Sequence, residues 1–157
     1  MATAVLSRFL ADHTVEGRAI MASEALKPRP GDYARVFTPD VADGLAAAYK
    51  RLWDEGKPAP HPKAHHDTLQ LSIAQAADFV TWNEPAKRFP NGYRDLAAYM
   101  QPERIWFAWR FHQAGKSIGM AYDGLVWMDD HWAWFPKPWH ALRLIEAPPP
   151  PTAPVDD

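Results

Sequence analysis

Apolar residues recur at three- and four-residue steps near the start of the chain, where Val5, Leu6, Phe9, Leu10, His13, Ile20 and Met21 fall close together on a helical projection. This spacing predicts helix over 3–26, weakened in its middle by Gly17 and ended by Pro28 and Pro30. Asp32 to Phe37 predicts a short helical turn. A clearer pattern follows. Thr38 is placed to cap, Pro39 suits the first helical position and Asp40 complements the helix dipole. Val41, Leu45, Ala48, Tyr49, Leu52 and Trp53 then make an apolar stripe that stops at Gly56, so 39–55 reads as an amphipathic helix.

Beyond the proline-rich connection of 56–66 the period changes to two. Thr68-Leu69-Gln70-Leu71-Ser72-Ile73 alternates strictly, as a half-buried strand does. Ala74 to Trp82 fits either a helix or a continuing strand. Phe89-Pro90-Asn91-Gly92 is a turn, and Tyr93 to Met100 predicts a short helix with Leu96, Ala97 and Met100 inward, stopped by Gln101-Pro102. Three runs rich in aromatic and β-branched residues come next: Ile105 to Phe111, Ile118 to Met128, and His131 to Phe135. Joined by turn residues, they predict three antiparallel strands. Six of the eight tryptophans lie between Trp106 and Trp139, so these strands carry most of the aromatic core.

The turn within Gln113-Ala114-Gly115-Lys116 sets Phe111 opposite Ile118, Trp109 opposite Met120 and Phe107 opposite Tyr122; the turn at Asp129-Asp130 sets Trp127 opposite Trp132 and Leu125 opposite Trp134. One face then carries Ile105, Phe107, Trp109, Phe111, Ile118, Met120, Tyr122, Val126 and Phe135, and reads as the core face. The other carries Trp106, Arg110, His112, Asp123, Leu125, Trp127, Trp132 and Trp134, too aromatic for open solvent. Gly124 in mid-strand marks a second possibility. A bulge there would turn Leu125, Trp127 and Trp134 to the core instead. The sequence leaves both arrangements open.

At 157 residues the chain is expected to form one domain over 1–146, with the proline-rich segment 147–157 a disordered tail. A net charge of -2 with interspersed signs lacks the basic stripe that neutralises phosphates, so no nucleic-acid partner is expected. The absence of cysteine excludes disulfides, thiol catalysis and thiolate metal sites. No basic n-region with an apolar core opens the chain and no apolar run is long enough to span a bilayer, so a cytoplasmic protein with no membrane partner is expected.

The order helix, helix, strand, short helix and three long strands resembles the nuclear-transport-factor-2-like (NTF2-like) α+β superfamily, of the SnoaL and ketosteroid isomerase type. The Tyr122-Asp123-Gly124-Leu125-Val126 strand, the Asp129-Asp130 turn and the ending Trp132-Ala133-Trp134-Phe135-Pro136-Lys137-Pro138-Trp139 look like an uncharacterised bacterial branch of it. The resemblance is topological over 3–140 and most specific in the last thirty or so of those residues. It implies a curved antiparallel sheet wrapping N-terminal helices as a cone, with a pocket at its open end. The superfamily includes isomerases, dehydratases, epoxide hydrolases and members without chemistry, so function rests on the site and not on the fold.

Three readings follow. In the first, the cone binds a small apolar or aromatic molecule, with Phe107, Trp109, Tyr122 and Trp134 lining the pocket and Asp123 and Arg110 supplying polarity. In the second the protein is a cofactor-free isomerase, dehydratase or hydrolase. Asp123, desolvated inside an apolar strand, would be its general base and Tyr122 or His112 the partner; Tyr93 and Tyr99 are further hydroxyl candidates. Against this stands a structural Asp123, paired with Arg110 or with backbone at a bulge. In the third, Trp106, Trp127, Trp132 and Trp134 form a protein-interaction face, and a homodimer is compatible with the other two readings. His61, His65, His66 and Asp67 are the one ligand-rich cluster, but Pro60 and Pro62 disfavour the helix that would align His61 with His65, so a solvated loop and no metal is the expectation. No cofactor is expected.

Overall fold

In the computed structural model, which describes residues 2–12, 23–56, 58–60, 62–63 and 65–145, the helical and alternating segments appear in the expected order. Helix α1 covers Ala2–Asp12, α2 Asp32–Val36 and α3 Pro39–Arg51, the last running into a wider π-type turn over Leu52–Gly56. Residues 13–22 of the first expected helix, with His13 and Gly17, lie outside the described residues, as do His61 and the tail 147–157. Strands β1 (Thr68–Gln75), β2 (Ile105–His112), β3 (Gly119–Trp127) and β4 (Trp132–Trp134) pair in sequence order as one antiparallel sheet. Short helices α4 (Ala76–Thr81) and α5 (Tyr93–Leu96) fill the β1–β2 connection, and α6 (Pro138–Arg143) follows β4. The architecture is α+β. Among the described residues no helix is long and apolar enough to cross a membrane.

Local chemistry settles two boundaries. The segment after Ala74 becomes helical because the Gln75 N–H donates to the Asp78 carboxylate at 2.9 Å, and the Ala76 and Ala77 N–H groups donate to the Arg104 and Pro102 carbonyls. Helix α3 begins at Pro39 as expected, but Thr38 does not cap it with its side chain: the Thr38 hydroxyl is buried with no partner among the described residues. The Thr38 backbone is used instead, its N–H donating to Tyr99 and its carbonyl accepting from Val41 and Ala42.

The first hairpin differs from the sequence expectation by two residues. Phe111 faces Met120 and Trp109 faces Tyr122, while Ile118 lies outside the strand and is 85% exposed. The reason lies in the loop. The Asp67 carboxylate accepts the Ala114 N–H at 2.8 Å, the Lys116 N–H closes a tight turn onto the Gln113 carbonyl, and the Arg110 guanidinium holds the Ser117 carbonyl at 3.0 Å. These bonds draw Gln113 to Ile118 out of the ladder. The second hairpin has the expected register, with Trp127 opposite Trp132 and Leu125 opposite Trp134.

Between the hairpins β3 bulges. Asp123 pairs with Ala108, but the next pair is Leu125 with Phe107, leaving Gly124 as the extra residue. Its φ of +91° is one that L side chains rarely adopt, and a Cβ there would stand 1.9 Å from the Phe135 carbonyl oxygen. The backbone groups released by the bulge are taken up locally: the Trp134 indole N–H donates to the Asp123 carbonyl at 2.7 Å and the Phe135 N–H to the Gly124 carbonyl at 2.7 Å.

The bulge realises the second of the two face arrangements. Leu125 and Trp134 join Trp109 and Phe111 on one face, which is covered by α1 through its buried Leu6 and Phe9 and by Trp53, whose ring meets Trp134 edge-on. Trp106, Val126 and Ala133 occupy the opposite face, packed beneath Phe37, Tyr93 and Phe135. Both sides of this part of the sheet are therefore core. Edge-to-face aromatic contacts of this kind contribute about 0.5–1.5 kcal/mol each beyond their buried area.

The β3–β4 turn is clasped to α2. Arg35 and Arg104 both donate to Asp129 at 3.1 Å, and the His131 ring bridges the buried Asp32 carboxylate and Asp130. Replacing Gly124 by Ala is expected to destabilise the fold by more than about 2 kcal/mol, since it combines backbone strain with a clash against backbone. Thermal and urea unfolding of Gly124→Ala check this; an unchanged melting temperature would mean that no bulge exists there.

Candidate functional site

Two alanines open a hollow in the sheet. On the Trp106 side, one cross-strand row is Ser72, Ala108 and Asp123, and the next is Gln70, Arg110 and Ala121. In the neighbouring row Trp106 fills the space above the strands; at 108 and 121 a methyl group does not. The result is an open groove of about 820 Å³ whose floor is these two rows. One wall is Arg88, Phe89 and Pro90, and the other is Lys137 and Trp139. Trp109 and Tyr122 border the floor as strand neighbours, but alternation sends their rings to the opposite face, where they stack with centroids 5.7 Å apart.

The walls are held by close local fits. The Trp139 ring lies so near Gly92 that a Cβ there would stand 2.3 Å from it, and it packs against Tyr93. Lys137 stands between Pro136 and Pro138 in the left-handed region, at φ 46° and ψ 60°. A non-glycine residue in this conformation costs of order 1–3 kcal/mol and persists only when its surroundings enforce it. Two bonds do so here: the Lys137 N–H donates to Asp123 Oδ1 at 3.2 Å, and the Tyr49 hydroxyl donates to the Pro136 carbonyl at 3.0 Å.

Asp123 is the buried acid of the groove. Its Oδ1 accepts the Tyr93 hydroxyl at 2.7 Å as well as the Lys137 N–H, whereas Oδ2 accepts no hydrogen bond from the described residues. Burial pushes its carboxyl up to about 6, against the opposing pull of the Tyr93 hydroxyl, the Lys137 N–H and the Lys137 charge. Tyr93 is fully buried, and its hydroxyl is held well above its ordinary range by burial and then by Asp123, so it remains a neutral donor. The pair thus offers one oxygen fixed by two donors and a second that can take or give a proton near neutral pH.

The sequence candidates divide between two faces. Asp123 and Arg110 lie in adjacent rows of the groove floor, with no ion pair between them, and Tyr93 reaches Asp123 from the helices that cover the same face. Phe107 and Trp134 lie on the other face, Phe107 against Trp132 and Trp134 against Trp53 and Trp109; neither borders the groove. His112 ends β2, its ring against the Gln113 carbonyl. Of the tryptophans read as an interaction face, Trp106 and Trp134 are buried within the chain and Trp127 and Trp132 are half-buried.

Gln70, Ser72, Arg88 and Lys137 are floor and wall residues that sequence reasoning passed over. For the first two a signal existed: the polar phase of the β1 alternation is the phase that registers with Arg110 and Asp123. His61 of the histidine loop lies outside the described residues, among which no group of three or more histidines and carboxylates could hold a metal ion. His66 accepts the Lys63 N–H on Nδ1, and burial, with His65 and His112 beside it, holds its imidazole below its ordinary value.

No family model matches the chain, and no curated protein or solved structure does either.

Because Asp123 holds its proton more tightly when folded, the native chain carries excess protons between the ordinary 3.8 and about 6. Stability is present in full below that window and lost as pH rises through it, by roughly 3 kcal/mol from this group. Asp123→Asn keeps an acceptor for Tyr93 and Lys137 but cannot ionise. It is expected to remove this slope and to be at least as stable as the parent above neutral pH, as read by urea unfolding across the window. An identical slope in both proteins would show that Asp123 is not desolvated.

Proposed function

We propose that the protein binds a small organic molecule in the groove over Ala108 and Ala121, with an aromatic or apolar part against Phe89, Pro90 and Trp139 and a polar part at Asp123, Gln70, Ser72 and Arg110. The observation that carries this reading is the missing bulk. The same sheet face is packed with large rings around Trp106, yet over the next two rows it stays open and collects the polar residues of three strands. A largely preformed hollow with mixed walls and a few convergent polar groups is the usual form of a small-molecule site. The reading also agrees with the resemblance to NTF2-like proteins, whose cone would place a pocket on the sheet.

A second reading is favoured by one feature, the Asp123 carboxyl that borders the groove, raised to about 6, with Oδ2 accepting no hydrogen bond from the described residues. Here the protein is a cofactor-free isomerase, dehydratase or hydrolase with Asp123 as general base. Tyr93, which already bonds Asp123, takes the partner role that the sequence reading gave to Tyr122 or His112. Asp123 Oδ2 would remove a proton from carbon or from water, and the groove cations would stabilise the negative charge that develops.

Ligand-observed NMR with a panel of small aromatic and aliphatic compounds tests the site. Saturable binding is expected for the parent and its loss for Ala121→Phe, which fills the hollow from an exposed position. Binding that survives Ala121→Phe would put the ligand elsewhere. For the enzyme reading, bound carbonyl compounds are expected to exchange α-hydrogen for deuterium, at least a hundredfold faster than with Asp123→Asn; equal exchange by both proteins removes Asp123 as base.

A further inference from the structure

We propose that the ligand of this groove is an anion, an organic acid whose carboxylate or similar oxyanion is held by Arg88, Arg110 and Lys137. The inference rests on the small-molecule reading above and names the charge class of what that site takes.

Three cations from separate parts of the chain border one hollow: Arg110 on β2, Arg88 ahead of α5 and Lys137 ahead of α6. This convergence occurs in a chain whose net charge is -2. Elsewhere, five basic side chains that border neighbouring acids are matched to carboxylates, Arg35 and Arg104 to Asp129, Lys50 and Lys27 to Asp54, and Lys87 to Glu84, and Arg94 lies over the Trp82 ring. None of the three groove cations forms an ion pair with a described residue. The one acid among them, Asp123, instead directs Oδ1 to Tyr93 and to the Lys137 backbone.

Arg110 is also preorganised. One of its terminal nitrogens donates to the Ser117 carbonyl at 3.0 Å, which limits the freedom of the guanidinium and uses one of its five N–H groups. Lys137 is fixed by its strained backbone, so its stem departs from one defined point on the wall. Gln70 and Ser72 add neutral hydrogen-bonding groups to the same floor. A planar, forked donor beside a point charge suits a carboxylate or related oxyanion, and clustered like charges in a concave site draw counter-ions toward it.

Asp123 sets the sign of a further effect. It is a like charge to the proposed ligand on the same floor, and the groups facing it are Tyr93, Tyr49 and Lys137. Removing its charge should therefore tighten anion binding, whereas removing a cation should weaken it.

Isothermal titration of the full chain with three matched probes tests the proposal: naphthalene-2-carboxylate, naphthalene-2-carboxamide and 2-naphthylmethylammonium. The carboxylate is expected to bind about tenfold or more tightly than the amide, and the ammonium weakest. Arg110→Gln and Arg88→Gln are exposed substitutions, verified as folded by their melting curves. Each is expected to lower carboxylate affinity about tenfold and to leave amide affinity within about twofold, while Asp123→Asn raises carboxylate affinity several-fold. An amide that binds as well as the carboxylate, or an ammonium that binds best, with Ala121→Phe still blocking, overturns the anion inference and leaves the groove reading standing. Carboxylate affinity indifferent to both arginine variants also overturns it. If none of the probes binds, the groove reading itself fails and the inference falls with it.

Discussion

Everything that distinguishes this sheet depends on one supernumerary residue in β3. With Gly124 standing outside the ladder, Asp123 and Leu125 point to opposite faces, although two residues apart in a regular strand they would share one. The aromatic residues on both sides of the bulge can then be buried together, Trp109 and Phe111 with Leu125 and Trp134 beneath α1. On the other face the same shift leaves Asp123 beside Ala108 and Arg110, where packing ends and the groove begins. Only glycine permits this, because the Phe135 carbonyl occupies the space of a side chain.

Local departures from comfortable chemistry gather at the groove. A carboxyl group is desolvated at Asp123, a lysine adopts left-handed backbone at Lys137, and an indole presses onto a glycine at Gly92. The three are joined: Asp123 binds the Lys137 N–H, Tyr93 binds Asp123, and Trp139 packs on Tyr93. The aromatic cluster around Trp106 and Phe135 supplies the rigidity that keeps such an arrangement from relaxing. Strain and desolvation are thus concentrated in one concave place, where each persists because its surroundings enforce it.

Much of the architecture was legible from periodicity. The stripe from Val41 to Trp53, the alternation of Thr68 to Ile73 and the three aromatic runs each became the expected element, because each pattern has one geometry that buries it. Register was legible where the turn is local, at Asp129-Asp130, and was misread at Gln113 to Ile118. There Asp67, far away in sequence, captures the Ala114 N–H and lengthens the loop. Asp123 and Arg110 were recognisable as odd charges in an apolar strand. Their separation from Phe107 and Trp134 was not, since it depends on whether Gly124 is extra or in line. Arg88 and Lys137 reach the groove only through the tertiary fold, which no local pattern encodes.

The two alanines of the floor differ in one respect. Ala108, on the central strand of the floor, is buried, while Ala121 is exposed. Hydrogen bonds beneath both are made by peptide groups alone, so side-chain exchange at 121 leaves the ladder untouched. In the proposed role, its size would set how deep a ligand sits in the groove. Were the groove to bind as proposed, selectivity by bore would be uncoupled from folding, and one outward-facing position would retune what the cleft admits without endangering the scaffold.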